Sequence, residues 1–302
     1  MKRRNFLKAC VIGGATITLG KTNKGWAAGS FEGYPDAMGV LVDTTRCIGC
    51  RSCEAACNKE QQLAPPAESF EDKSVFQEER RPDSTHYTVV NEFEKKEPQG
   101  PVYRKVQCNH CNEPACLTSC FVNAYTKTKE GAVIYNSKVC VGCRNCMIAC
   151  PFNVPGYSYE SVTNPVVKKC ILCYDTRLKV GKPPACVEIC PQEALTFGHR
   201  ADLVKLAHER IRMNPESYYD HVYGEKELGG TSWLYLSRTS FDKIGFDTTM
   251  GNEPIISNVK EFLGMVPMVL SIWPALFSGI HLLSKGKHDE QGEHHDTTQE
   301  DR

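Results

Sequence analysis

"CVGCRNCMIACP", residues 140–151, sets four cysteines two, two and three residues apart and closes on a proline. The same spacing appears earlier as "CIGCRSCEAAC", residues 47–57, with Asn58 in the proline's place. Two further runs lengthen one gap. "CNHCNEPACLTSC", 108–120, has four residues in its middle gap. The last run, Cys170, Cys173, Cys186 and Cys190, has twelve there and closes on Pro191. The chain has 302 residues and 17 cysteines, and only Cys10 lies outside these four runs. Such an excess has three ordinary explanations: disulfides, zinc or iron–sulfur clusters.

Disulfides fit badly, because a bridge needs a specific Cα separation and orientation that cysteines two residues apart rarely offer. A structural zinc ion usually takes two close cysteines from one loop and two from a distant one. Three thiolates crowded as C-x2-C-x2-C in one turn fit a single tetrahedral ion poorly. They suit a cubane, which takes three cysteines from one turn and a fourth from elsewhere. C-x2-C-x2-C-x3-C-P is the bacterial ferredoxin pattern, in which the last cysteine ligates the other cluster. Four complete sets of four therefore predict four [4Fe-4S] clusters.

Pairing follows an internal repeat. "CFVNAYTKTKEGAVIYNSKVCVGC" joins runs two and three and reads as a hairpin, with Gly131 at the turn and "AVIY" as a strand. Runs two and three then form one two-cluster unit, and by elimination run one pairs with run four. Carrying the ferredoxin crossover into each unit gives four ligand sets. Cys47, Cys50 and Cys53 take Cys190; Cys170, Cys173 and Cys186 take Cys57. Cys108, Cys111 and Cys116 take Cys150; Cys140, Cys143 and Cys146 take Cys120. Short helices at "EAAC" and "MIAC" are expected to carry the last cysteine of runs one and three onward. Gly49 and Gly142 sit where the backbone must turn tightly and aim N–H groups at sulfur, which tunes the potential. Pro151 and Pro191 fix the exits.

The ends of the chain carry different signals. Lys2, Arg3 and Arg4 precede an uncharged run, Ala9–Leu19, and small residues around Ala27 and Ala28. That is a signal-peptide layout whose apolar part is too short to span a bilayer. "RRNFLK" resembles the twin-arginine export signal. Phe262–Leu283 contains no Asp, Glu, Lys or Arg. As a helix it would reach about 33 Å, enough for a hydrocarbon core of roughly 30 Å. Lys285 and Lys287 follow it, which the positive-inside rule places in the cytoplasm if the cysteine region is exported. The alternative for this stretch is a buried core helix. The tail after it is polar, and its histidines are solvated residues rather than a metal site.

Between these ends, "THYTVVNEF" and "PVYRKVQ" read as a strand pair, and "MGVLVD", 38–43, as the first strand. "ADLVKLAHERIRM" puts Leu203, Leu206, Ala207 and Ile211 on one helical stripe. "HVYGEKELGGTSWLYLS" is a glycine-containing turn before a short strand. These later segments are expected to lie outside the cluster domain and to serve as docking surfaces. Lys and Arg total 36 and so do Asp and Glu, so the chain lacks the basic footprint of a nucleic-acid binder. No nucleophile–base constellation, phosphate-binding glycine loop or C-x3-C-x2-C run is present, so no substrate site of its own is expected. The expected fold class is α+β: two ferredoxin-like two-cluster units with insertions, plus a C-terminal transmembrane helix. Its parts are a twin-arginine signal peptide at 1–28, the four-cluster domain at 38–200 and a docking extension at 201–258. An anchor at 262–283 and a cytoplasmic tail at 284–302 complete it.

The runs, their spacing and their order resemble the four-cluster ferredoxin-like electron-transfer subunits of bacterial membrane oxidoreductases, across about 38–200. These include the beta subunits of formate dehydrogenase and of the DMSO- and polysulfide-reductase families. The signal, the anchor and "HVYGEKELGGTSWLYLS" bring the chain nearest to the hydrogenase-2 iron–sulfur subunit (the HybA type), with Hmc-type redox complexes next. The resemblance implies a periplasmic wire on the inner membrane. It would join a hydrogenase, or another catalytic subunit such as a formate dehydrogenase, molybdopterin oxidoreductase or multihaem cytochrome, to a multispanning subunit of the NrfD type and, through it, to the quinone pool. The competing class is a membrane-anchored zinc-binding or disulfide-stapled structural protein.

Overall fold

Met38–Asp43 is apolar at nearly every position, as a strand covered on both faces should be. It forms β1, the centre of a three-stranded sheet in the computed structural model. The structure describes residues 34, 36–94, 99–159, 166–257, 265–266 and 268–281. The expected signal peptide, 1–28, and tail, 284–302, lie outside the described residues. The chain divides into Met1–Pro35 and Asp36–Arg302, and the elements below belong to the second unit.

Further strands and helices follow in chain order. Ser52–Glu60 is α1, and Thr88–Phe93 and Val102–Gln107 are β2 and β3. Ala115–Thr118 is α2, Tyr125–Lys127 and Val133–Tyr135 are β4 and β5, and Asn145–Ile148 is α3. Gly156–Ser158 and Val166–Lys168 are β6 and β7, Ala185–Glu188 is α4, and Leu195–His199 is β8. Arg200–Met213 is α5 and Trp233–Leu236 is β9.

β8 lies antiparallel to β1, with Val40 opposite Phe197, and β9 lies parallel to it, with Val40 opposite Trp233. Strand alternation then sorts the side chains. Leu41, Leu234 and Leu236 face α5 and pack on Leu203, Ala207 and Ile211. Val40, Val42, Trp233 and Tyr235 face the other way, onto a core that includes Leu172 and Cys186. Each fully buried large apolar side chain contributes about 1.5–3 kcal/mol of transfer free energy, so the sheet is the main anchor of the cysteine loops.

Among the described residues, three two-stranded ladders accompany this sheet. β2–β3 is the expected strand pair, and β4–β5 is the expected hairpin with Gly131 at φ 93° in its turn. β6–β7 joins run three to run four. One expectation needs correcting. Residues 201–258 are not outside the cluster region, because β9 is a strand of the central sheet and Trp233 is wholly buried. A parallel partner supplied from beyond α5 is a long-range pairing that local pattern cannot show. The described residues 265–266 and 268–281 are helical. Among the described residues no helix is long and apolar enough to cross a membrane. The expected anchor at 262–283 therefore finds no support there; 262–264, 267 and 282–283 lie outside the described residues.

Candidate metal centres

Each run opens with the same backbone turn. The residue before the second cysteine has a positive φ in all four: Gly49 at 63°, His110 at 50°, Gly142 at 70° and Leu172 at 58°. That conformation is open to glycine and costs other residues energy. It curls the C-x2-C loop so that successive side chains share one side, and it turns backbone N–H groups toward sulfur. The Gly142 N–H donates to Cys140 Sγ at 3.4 Å, and the Leu172 N–H to Cys170 Sγ at 3.4 Å. In the first run the Gly49 N–H plays the same part and favours the thiolate of Cys47. The Ala124 N–H donates to Cys120 Sγ at 3.2 Å, and Gln61 Nε2 to Cys173 Sγ at 3.7 Å.

A short helix then starts near the third cysteine of every run. Arg51 and Arg144, at φ 63° and 64°, precede α1 and α3, while Pro114 and Pro184 precede α2 and α4. Runs one and three thus share one entry and runs two and four another. In each run the fourth cysteine comes four residues after the third, one helical turn on. The helices at runs two and four were not anticipated, because their lengthened gaps hide the helix behind proline.

The structure brings the sixteen cysteines together across runs. One cavity is lined by Cys47, Cys50, Cys53 and Cys190, and a second by Cys108, Cys111, Cys116 and Cys150. Cys57 faces Cys170, Cys173 and Cys186, and Cys146 faces Cys140, Cys143 and Cys120. We label these sets A (47, 50, 53, 190), B (57, 170, 173, 186), C (108, 111, 116, 150) and D (120, 140, 143, 146). β1 against β8, and α1 against α4, join run one to run four. Across sets, Cys186 acts on Cys53, Cys108 on Cys170, and Cys146 on Cys116. The sets therefore stand in the file A–B–C–D. Cys143 of set D is exposed, and Val141 and Ile148 beside it are exposed apolar residues.

No disulfide links the sixteen described cysteines. Burial pushes Cys47 up to about 11, with Cys190 and Cys50 adding to it, and burial likewise takes Cys150 to about 11 and Cys170 to about 12. Crowded thiols in a dry cavity resist becoming thiolates together, and a bound metal group reverses that balance by coordinating them deprotonated. Among the described residues, no group of three or more His, Cys, Asp or Glu side chains is placed to hold a single metal ion. Four sulfurs around one cavity, with backbone N–H groups on sulfur, fit an iron–sulfur cubane. The buried Tyr125 hydroxyl fits it too, because it finds no oxygen or nitrogen partner and lies beside the Cys146 sulfur.

Sequence reading missed the groups around the sulfurs. Lys105 and Lys169 are buried beside sets A and C. Glu54, on α1, accepts from Arg51, Arg80 and the Val90 N–H, and so ties the insertion after run one to the cysteine helix. The alternation of β3 gave no sign of an inward Lys105, because that residue shares a face with Tyr103 and Gln107, opposite the apolar Val102 and Val106.

Comparison with known proteins agrees with this geometry. Residues 101–200 match the family described as a 4Fe-4S dicluster domain. The hydrogenase-2 operon protein HybA of Escherichia coli is 31% identical over 337 aligned positions, 98% of this chain and 100% of its own length. The chain belongs to this iron–sulfur family. A protein of Nitratidesulfovibrio vulgaris is 50% identical over 289 residues, covering 95% of this chain and 78% of its own. The nitrate-inducible formate dehydrogenase iron–sulfur subunit of Escherichia coli is 29% identical, covering 87% and 92%.

Proposed function

We propose that the chain is an electron-transfer subunit that holds four [4Fe-4S] clusters and relays electrons between a hydrogenase and a quinone-reactive membrane subunit. The observation that carries this reading is the file of cysteine sets, A–B–C–D. Sets A and C line cavities of their own, and neighbouring sets act on each other. Iron–sulfur clusters supply one-electron redox chemistry when bound. The chain's part is to hold them by the sixteen cysteines, to exclude water with the apolar core, and to place N–H donors on sulfur. Exposure of Cys143 makes set D an end of the file at which electrons can enter or leave.

HybA is named for the hydrogenase-2 operon and aligns along its whole length, which supports hydrogenase as the catalytic partner. A second reading, the same role beside a formate dehydrogenase, is supported by the relatives that carry that name. The proposed location is the periplasmic face of the inner membrane. The twin-arginine pattern and the uncharged 262–283 stretch support it. So does the exposure of Val269, Leu270, Ile272, Trp273, Leu276 and Phe277 around the helical residues 268–281.

The test is anaerobic purification of the full chain from membranes through a C-terminal tag. Iron and acid-labile sulfide are measured, and co-purifying chains are identified. Four irons and four sulfides for each of four clusters, together with a nickel–iron hydrogenase large subunit, are expected. A formate dehydrogenase catalytic chain would move the wire to the second reading. Zinc in place of iron would end both.

A further inference from the structure

A lysine ammonium removed from water needs a compensating charge, or it loses its proton. Lys105 and Lys169 are 3% and 2% exposed. Lys105 Nζ donates to Thr88 Oγ1 at 2.6 Å and Gln107 Oε1 at 3.0 Å, and lies 4.7 Å from the Trp233 ring. Lys169 Nζ donates to the Val133 and Cys170 carbonyls at 2.5 and 3.0 Å. These acceptors are all neutral. Among the described residues, neither lysine forms an ion pair with a carboxylate.

What surrounds them instead is sulfur. Lys105 lines the set A cavity, and Cys186 of set B, Cys53 of set A, and Cys170 and Cys57 of set B favour its charged form. Lys169 lines the set C cavity, and Cys108 and Cys116 of set C and Cys170 of set B favour its charged form. Each lysine thus stands at a junction between consecutive sets.

We propose that Lys105 and Lys169 are the internal counter-ions of the cysteine file, each setting the reduction potentials of the two clusters it separates. The proposal rests on the four-cluster reading above. A cluster held by four thiolates is anionic, and reduction adds one more negative charge. A fixed cation nearby favours the reduced form, and net charge is one of the levers on cluster potential. Because both ammonium groups are buried, solvent and salt screen them little.

The experiment is a potentiometric titration of the purified full chain, followed by electron paramagnetic resonance, with iron and sulfide measured first. Wild-type protein without iron would defeat the four-cluster reading and is told apart at that step. With iron intact, Lys105→Met is expected to shift two midpoint potentials to more negative values and leave two in place. Lys169→Met is expected to shift two, one of them shared with the Lys105 variant. Lys105→Arg and Lys169→Arg keep the charge and should stay near wild type. Should a Met variant lose iron, Gln107→Glu places a carboxylate beside Lys105 without removing it and should shift the same two potentials downward. Unchanged potentials in iron-replete Lys105→Met, or in its Gln107→Glu substitute, would overturn the proposal.

Discussion

Gly49 shows how one backbone angle fixes a metal loop. Its φ of 63° is the left-handed conformation, and a Cβ there would sit 2.4 Å from the Tyr103 ring. Gly181 has a similar φ, 74°, with nothing within 4 Å. Both Gly→Ala changes carry the backbone cost, about 1–2 kcal/mol. Only Gly49→Ala adds a clash, so it should melt at the lower temperature and lose iron from set A. Equal melting of the two variants would mean that Tyr103 moves aside freely. The glycine was legible in the sequence, but Leu172 and His110 in the same conformation were not, because neither residue type signals a positive φ. A pH-dependent contribution comes from the turn at Asp83. The hydrogen bond from His86 to Asp83 raises the His86 pKa, against burial. Burial opposes the Asp83 carboxylate, but donors from His86 and Thr85 outweigh it and lower its pKa. The histidine's contribution is complete below about 6.5 and is lost as pH rises through its raised value, while the aspartate's is present above about 3.9 and is lost in acid. His86→Ala should therefore lower the melting temperature more near pH 5 than near pH 8; the reverse order would contradict the sign.

At the scale of elements, the strands and helices next to the cysteine runs were legible from local pattern. β1, β2–β3 and α5 occupy the expected stretches, since each carries its own periodicity. β9 was legible as a strand and illegible as a partner of β1, because its pairing spans nearly the whole domain. Its energetic weight is large. Trp233 is wholly buried against the core that holds Cys186, and Lys105 lies over its ring. Trp233→Ala should cost about 3–5 kcal/mol, the usual range for a buried aromatic. Truncation after Arg200 should go further, leaving Leu41 and the edge of β1 bare. Protein ending at residue 200 should be insoluble or iron-free when made under conditions that load the full chain. A soluble fragment with full iron would show that 201–258 is dispensable to the fold.

At the scale of the whole molecule, spacing carries an expectation of which runs pair and carries nothing about the spatial file. Spacing suggests which cysteines group, but chain order one to four becomes A–B–C–D only once β1 meets β8 and Cys108 of run two comes within reach of Cys170 of run four. The same limit applies to the proposed anchor. The helical residues 268–281 expose apolar side chains on every face, among them Leu270 at 69% and Phe277 at 58%. In water that surface is a liability, and in a bilayer it is matched. Full-length protein should therefore stay with membranes through an alkaline carbonate wash and be released by detergent. A chain ending at residue 257 keeps the sheet, all sixteen cysteines and both buried lysines, so it should appear in the soluble fraction with its iron intact. If the truncated chain remains on the membrane, it is held there by a partner subunit, and the 262–283 segment is not the anchor.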